Sequence, residues 1–270
     1  MESEANDTND GVLFTVTGKI ARVTLNEPEK LNTFTVEKLN RMADIVDEIT
    51  ANDKIRCVIF DAMGDKAFSA GLDTKMLSQG DSSIGAHVLE AGSILSKKLF
   101  YMPVPAICSI AAPAVGWGCI LSMLCDLRYA VQSTYFKLPE LEIGIYPATG
   151  ALTLCLMQFG PSLGMEMMLL GKKVSVEQAA GIGFVNGMAA TREEVDELAM
   201  NAAKACSRLN QQVVMYTKMN AKLVAGKFNA AVDLEARCFR ELLEEGKNED
   251  WHATYLKRFE ALKQDWFSSP

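Results

Sequence analysis

The feature that most constrains the fold is an alternation of short apolar runs with segments of helical spacing. Apolar and polar residues alternate over 12–16 and 19–25, on either side of Gly18, which predicts a β-hairpin. Thr35 is of a type that caps helices, and the apolar residues after it recur at helical intervals. The apolar run 57–61 comes next. This order is typical of a helical crossover that leads into a buried parallel strand.

The pattern changes near residue 149. Before that point, apolar runs predict strands at 106–111, 127–131 and 135–137, and a long loop at 62–83. No strand pattern appears after it. Helices are predicted near 84–101, 149–159, 162–170, 175–181, 191–208, 210–225, 229–245 and 250–263. We therefore predict an α/β fold with a mostly parallel sheet, divided into a disordered tail (1–11), a core (12–195) and a helical C-terminal region (196–270).

Composition excludes several classes of function. The net charge of −7 disfavours a nucleic-acid surface, because phosphate binding requires clustered Lys and Arg. The seven cysteines form no Cys-x-x-Cys pair and there are only two histidines, so we predict no metal site. No apolar run reaches the ~18 residues of a membrane span, and the polar N-terminus does not resemble a signal peptide. We expect an intracellular soluble protein, mitochondrial or cytoplasmic, without a nucleic-acid or membrane partner.

Three segments could carry chemistry, and each follows a predicted strand. The first, 67–73, is rich in small residues that let a ligand approach the backbone. The second, 116–118, reads Gly-Trp-Gly at a helix start, where free N–H groups favour an anion. The third, 138–145, contains Glu140 and Glu142 among apolar residues, and desolvation there would raise a carboxyl pKa. Periodicity does not decide which glutamate is the buried one.

In order and spacing, these segments resemble the crotonase (enoyl-CoA hydratase/isomerase) superfamily. The resemblance runs through 23–32, 67–73, 103–130, 136–150 and 169–185. It implies a crotonase-like core of repeated ββα turns, followed by a helical region that assembles the chain into a homotrimer or a dimer of trimers. It also implies an acyl-CoA thioester substrate and no cofactor, since coenzyme A is part of the substrate.

The resemblance further implies an oxyanion hole of two backbone N–H groups, at Leu72 and Trp117. Such a hole stabilises the enolate that forms when C2 of an acyl-CoA loses a proton. By the same resemblance, coenzyme A and the acyl group are bound by Glu27, Lys30, Leu31, Ala70, Gly71, Leu72, Asp73, Lys75 and Trp117.

The sequence departs from the hydratase pattern at one catalytic position. Hydratases of this superfamily use two glutamates to hold the water that they add. The first position is Ile120 here, whereas the second is retained as Glu140. The position at which dienoyl-CoA isomerases carry an aspartate is Ala148.

A single glutamate beside an oxyanion hole is sufficient to move a proton from C2 to C4. The leading hypothesis is therefore a Δ3,Δ2-enoyl-CoA isomerase of fatty-acid β-oxidation, with Glu140 as the proton shuttle. One alternative is a hydratase-like enzyme whose second group comes from elsewhere, for example Glu142. Another is a non-catalytic acyl-CoA binding protein.

Overall fold

The computed structural model describes residues 6–7, 11–77, 82–224 and 228–245. Within these residues the strands are β1 (Asn6–Asp7), β2 (Val12–Thr17), β3 (Ile20–Leu25), β4 (Cys57–Ala62), β5 (Ala106–Ile110), β6 (Ala114–Val115), β7 (Leu127–Val131), β8 (Tyr135–Lys137), β9 (Val174–Ser175) and β10 (Gly187–Ala189). The helices are α1 (Val36–Ala51), α2 (Thr74–Leu77), α3 (Ser82–Tyr101), α4 (Trp117–Leu124), α5 (Ala151–Phe159), α6 (Pro161–Leu170), α7 (Val176–Gly181), α8 (Arg192–Cys206), α9 (Gln211–Val224) and α10 (Phe228–Glu245).

The strands form two sheets. The larger has the order β1-β2-β3-β4-β5-β7-β10, antiparallel up to β3 and parallel from β3 onward. The smaller has the order β6-β8-β9, with β6 and β8 parallel. The predicted α/β class and the mostly parallel sheet are confirmed.

Helix α1 illustrates how the sequence encodes an element. The Oγ1 of Thr35 accepts a hydrogen bond from the N–H of Lys38, 3.2 Å away, and so caps the helix as predicted. The apolar residues at helical spacing lie on the buried face: Leu39, Met42, Ile45, Val46 and Ile49. They join the main apolar core between the larger sheet and its helices.

Three predictions about elements were wrong. Strands do occur after residue 149, because β9 and β10 pair with β8 and β7. Strand β9 has two residues and β10 has three, which is too few to show an alternating pattern. Only their pairing with strands that are distant in the sequence reveals them. The predicted loop at 62–83 contains α2, and within the predicted tail β1 pairs with β2. The helix predicted at 250–263 lies outside the described residues.

The C-terminal helices pack against the core. Helix α8 lies on β4, β5 and β7, and it runs across residue 195, where the sequence predicts the boundary of the core. Helix α10 packs on α3 and α5, where the ring of Phe228 stacks 3.8 Å from that of Phe100. None of the described helices has the length and apolarity to span a membrane.

Candidate active site

Hydrogen bonds to Phe34 hold the segment 67–73 so that the N–H of Leu72 faces away from Phe34. Phe34 donates to the carbonyl of Gly71 and accepts from the N–H of Asp73, each at 2.8 Å. These bonds occupy the two peptide groups on one side of the extended backbone at Leu72. The N–H of Leu72 therefore points to the opposite side, as alternate groups of a strand do.

The segment 114–118 presents a second donor. Gly116 has φ 53°, a left-handed conformation that suits glycine, and its N–H donates to the carbonyl of Lys137 at 2.9 Å. Trp117 is the first residue of α4. An N–H in the first turn of a helix has no acceptor within that helix, so the N–H of Trp117 is available at its positive end.

The two segments are bound directly to each other. The N–H of Val115 donates to the carbonyl of Ser69 at 2.9 Å, and Ser69 pairs with Ala114. A β-carbon placed on Gly71, which has φ 91°, would lie 3.4 Å from the nitrogen of Trp117. Among the described residues, neither Leu72 nor Trp117 donates its N–H to a hydrogen bond. The arrangement can bind an oxygen that becomes negative during a reaction.

Glu140 lies beside this pair of donors. Its Oε1 would be 3.9 Å from a β-carbon on Gly116, and its Oε2 is buried with no hydrogen-bond partner. Burial raises the pKa of Glu140 to about 7; a hydrogen bond with its own backbone lowers it, the charge of Glu142 raises it further, and Lys137 lowers it. A carboxyl group that is half ionised near neutral pH can both take and return a proton.

Glu142 has a different environment, because its carboxylate is ion-paired. Its Oε2 lies 2.8 Å from the Nζ of Lys137, and that ammonium also donates to the carbonyl of Gly171 at 2.7 Å. A β-carbon on Gly171 would lie 2.0 Å from the carboxyl carbon of Glu142. Glu142 is thus an ion-paired residue that packs against Gly171, whereas the buried Oε2 of Glu140 has no such charged partner.

The two positions at which related enzymes carry further carboxylates are apolar. Ile120 is 2% exposed in the first half of α4 and belongs to the main core. Ala148 is half-buried in the irregular segment before α5. Within the part of the chain that the structure describes, no group of three His, Cys, Asp or Glu residues could hold a metal ion.

The loop that carries the first three residues predicted to bind coenzyme A lies beside the donor segment. The N–H of Ala70 donates to the carbonyl of Leu31 at 3.0 Å, and Leu31 itself has φ 55°. The carboxylate of Glu27 contacts the ammonium of Lys30 at 2.5 Å and that of Lys38 at 2.7 Å. Glu27 therefore positions lysines instead of presenting a free carboxylate to a ligand.

Asp73 and Lys75 end the donor segment on its outer side. The Oδ1 of Asp73 accepts from the N–H of Lys75 at 2.8 Å, at the start of α2. This carboxylate therefore acts as a helix-capping group. The side chain of Lys75 is exposed, as is that of Lys30.

Sequence reasoning missed residues that hold the site without entering it. The Oγ of Ser69 accepts from the N–H of Gly71 at 3.1 Å, and a β-carbon on Gly118 would lie 2.8 Å from the Cβ of Ser69. A serine two residues before a glycine is a recognised turn signal and could have identified this contact. No sequence signal pairs the buried Lys137 with Glu142, although they are only five residues apart.

Comparison with known proteins identifies the family. A family model described as enoyl-CoA hydratase/isomerase matches residues 15–267. YngF of Bacillus subtilis, which carries the same family name, is 34% identical over 185 residues, covering 67% of this chain and 70% of YngF. The short-chain-enoyl-CoA hydratase of Clostridium acetobutylicum is 23% identical over 253 residues, covering 92% of this chain and 95% of that protein.

A solved structure gives the same result for the fold. The crystal structure of an enoyl-CoA hydratase/isomerase from Mycobacterium paratuberculosis aligns with a TM-score of 0.84 at 24% identity, covering 93% of this chain and 99% of that chain. The family match spans nearly the whole chain, and the fold is that of crotonases. The chain therefore belongs to the enoyl-CoA hydratase/isomerase family of the crotonase superfamily.

Proposed function

We propose that this protein is a Δ3,Δ2-enoyl-CoA isomerase, within a family whose substrates are acyl-CoA thioesters. The observation that carries the proposal is the environment of Glu140. The Oε2 of its carboxyl group is buried without a hydrogen-bond partner beside two unused backbone donors, and burial raises its pKa to about 7. Ile120, at the position where hydratases carry a second glutamate, is buried and apolar.

In the proposed reaction the thioester oxygen accepts hydrogen bonds from the N–H groups of Leu72 and Trp117. The ionised carboxylate of Glu140 removes a proton from C2, and the electron pair moves onto the thioester oxygen as an enolate. The same carboxyl group then delivers the proton to C4, and the double bond shifts from C3=C4 to C2=C3. One donor of such a hole is worth about 10²–10³ in rate.

Coenzyme A is proposed to enter from the side of the exposed lysines. Lys30 and Lys75 lie at the two ends of the paired segments that include Leu31, Ala70 and Gly71, so both ammonium groups can approach phosphates. The reaction needs no cofactor other than the coenzyme A of its substrate. Assembly into a homotrimer or a dimer of trimers is part of the proposal and rests on the resemblance alone.

The second candidate is an enoyl-CoA hydratase, and the names of relatives favour it. Hydration requires a water molecule held by two groups, and a general acid–base partner is worth about 10²–10⁴ in rate. Ile120 provides no such group, and the carboxylate of Glu142 is already paired with Lys137. A non-catalytic binding protein is disfavoured because Glu140 lies against Gly116 with a buried oxygen.

A paired assay tests the proposal. One preparation receives 3-hexenoyl-CoA, and formation of the conjugated thioester is followed by absorbance. The same preparation receives 2-trans-hexenoyl-CoA, and loss of that absorbance reports hydration. We expect isomerisation to exceed hydration by at least about 10², the factor assigned to one missing acid–base group. Dominant hydration would replace the proposal with the hydratase, and inactivity with both substrates would favour a binding protein.

The variant Ile120→Glu, measured in the same assay, tests whether the second carboxylate is what hydration lacks. It restores a carboxylate at the position that hydratases use, so hydration should rise while isomerisation falls. Ile120→Gln is the matched control, because it adds a polar side chain of the same length without a charge. An equal rise in hydration in both variants would show that added polarity or space, and not the second carboxylate, was missing.

A further inference from the structure

The side chain of Trp117 has a position distinct from that of its backbone donor. The backbone N–H lies at the start of α4, whereas the indole extends into the interior and is 2% exposed. Its ring lies 5.4 Å from that of Phe34, the residue that pairs with Leu72. Its Cζ2 would be only 3.2 Å from a β-carbon on Gly92 of α3. The indole thus spans the distance from the donor segment to α3.

Gly92 and Thr149 complete a wall with the indole. A β-carbon on Gly92 would lie 2.7 Å from the Cγ2 of Thr149, closer than real carbon atoms approach, so even one methyl group does not fit there. Both Gly92 and Thr149 are buried. We call the three residues Trp117, Gly92 and Thr149 the inner wall.

The inner wall is firmly anchored. Thr149 has φ 60°, and its carbonyl accepts a hydrogen bond from the Oγ of Ser96 at 2.6 Å. The next residue, Gly150, donates its N–H to the Oε2 of Glu235 at 2.7 Å, and the other carboxylate oxygen accepts from the N–H of Thr153 at 3.0 Å. Because α3, α5 and α10 all contribute contacts, the wall cannot move without disturbing three helices.

The direction of the acyl group follows from the proposed site. The thioester oxygen is placed at the backbone donors of Leu72 and Trp117, and coenzyme A extends toward the exposed Lys30 and Lys75. If the acyl carbons beyond C2 run inward past Glu140, they approach the interior in which the indole of Trp117 is buried.

We propose that the inner wall ends the acyl site and that Trp117 is its specificity-determining residue, so that short acyl groups are bound and longer ones are excluded. The inference rests on the proposed acyl-CoA substrate, but not on the isomerase reaction. A buried indole N–H without a hydrogen-bond partner among the described residues, Nε1, lies on the same edge of the ring as Cζ2. Such a donor is costly to bury beside a purely apolar tail, which is a second reason for the tail to end there.

Binding of saturated acyl-CoA esters tests the inference without catalysis. Dissociation constants of butanoyl-, hexanoyl-, octanoyl- and decanoyl-CoA are measured calorimetrically. For the native protein we expect the tightest binding at butanoyl or hexanoyl and at least about tenfold weaker binding of decanoyl-CoA. In Trp117→Ala, binding should instead tighten by about fourfold for each methylene that enters the space left by the indole, since one buried methylene contributes ~0.8 kcal/mol.

Two further variants keep the test decisive. Phe159→Ala removes another buried ring, one that packs on Phe136 and Phe184, and should leave the chain-length profile unchanged. Trp117→Leu opens a smaller space and serves if Trp117→Ala does not fold. Affinity of the native protein that still rises up to decanoyl-CoA, or an identical profile in every folded Trp117 variant, would overturn the inference. The stated profile together with absent isomerisation would refute the proposed reaction and leave the chain-length limit standing.

Discussion

Glu140 and Glu27 are both near the candidate site, yet their surroundings are opposite. Glu140 has a buried oxygen with no hydrogen-bond partner, and burial raises its pKa to about 7. Glu27 is also partly buried, which by itself would raise its pKa, but contacts with Lys30 and Lys38 outweigh this and lower it. The carboxyl group of Glu140 can therefore exchange a proton near pH 7, whereas that of Glu27 is held in its ionised form by two lysines. The charged partner, and not burial alone, therefore decides the role of a buried carboxyl group.

The same substitution should therefore have opposite consequences in the two regions. Glutamine keeps the shape of glutamate but cannot ionise or accept a proton from carbon. At position 140 it removes the proposed base and also a charge that is unfavourable to bury. At position 27 it removes the counter-charge of Lys38, whose side chain is 1% exposed.

The largest expected effect is on the activity of Glu140→Gln. We expect its kcat for 3-hexenoyl-CoA to fall by about 10²–10⁴, because that is the usual contribution of a general acid–base group. Binding of butanoyl-CoA should change little, since the backbone donors remain. Glu27→Gln is the control, and its kcat should stay within about tenfold of the native value. An equal loss of kcat in the two variants would remove the contrast between the regions.

The next effect is on the stability of Glu27→Gln. This change leaves the buried ammonium of Lys38 without its carboxylate, and breaking a buried ion pair at one partner costs about 3–5 kcal/mol. We expect the free energy of unfolding to fall by about 2–3 kcal/mol at pH 7. The loss is smaller than for a fully buried pair because Glu27 retains 19% exposure and Lys38 still donates to the carbonyl of Thr33. Urea unfolding gives the value. The double variant Glu27→Gln/Lys38→Met should recover most of the loss, and failure to recover would show that the ion pair is not its cause.

A smaller effect of opposite sign is expected for the stability of Glu140→Gln. The pKa of Glu140 is about 7 in the folded chain and about 4.5 for an ordinary glutamate, so the folded state retains its proton over a higher range of pH. Stability is then lost as the pH rises from about 4.5 to 7. Glu140→Gln should be about 1–3 kcal/mol more stable than the native protein at pH 8 and nearly equal to it at pH 5. Urea unfolding at both values of pH measures this, and a variant that is less stable at pH 8 would contradict it.

The sequence predicts a contact well when the two residues are close along the chain, and poorly when they are far apart along it. The hairpin around Gly18, the cap at Thr35 and α1 depend on neighbours within a few residues, and their patterns predict them correctly. The donor pair depends on bonds such as that from Val115 to Ser69, which join separate motifs. Only the family resemblance could bring those motifs together before the structure did.

Side-chain partners were less predictable. Glu140 and Glu142 have similar neighbours in the sequence, and only the contact of Glu142 with Lys137 and Gly171 distinguishes them. Likewise, nothing in the pattern around Glu27 indicates that its carboxylate contacts Lys38, eleven residues away on α1. Short strands such as β9 were missed for the same reason, because their pairing, and not their composition, defines them.

The smallest effect concerns the pH dependence of the reaction. Since Glu140 acts as a base, its ionised form is required, and kcat/KM should fall about tenfold per pH unit below 7 and level off above it. The charge of Glu142 contributes to the raised pKa of Glu140, so Glu142→Gln should move the inflection to lower pH by less than about one unit. Its direction is informative because removing the charge of Glu142 also leaves the positive charge of Lys137 without that counter-charge, which acts in the same sense. A shift to higher pH would mean that Glu142 affects Glu140 by holding the loop in place, and a profile flat between pH 5 and 9 would show that another group is the base.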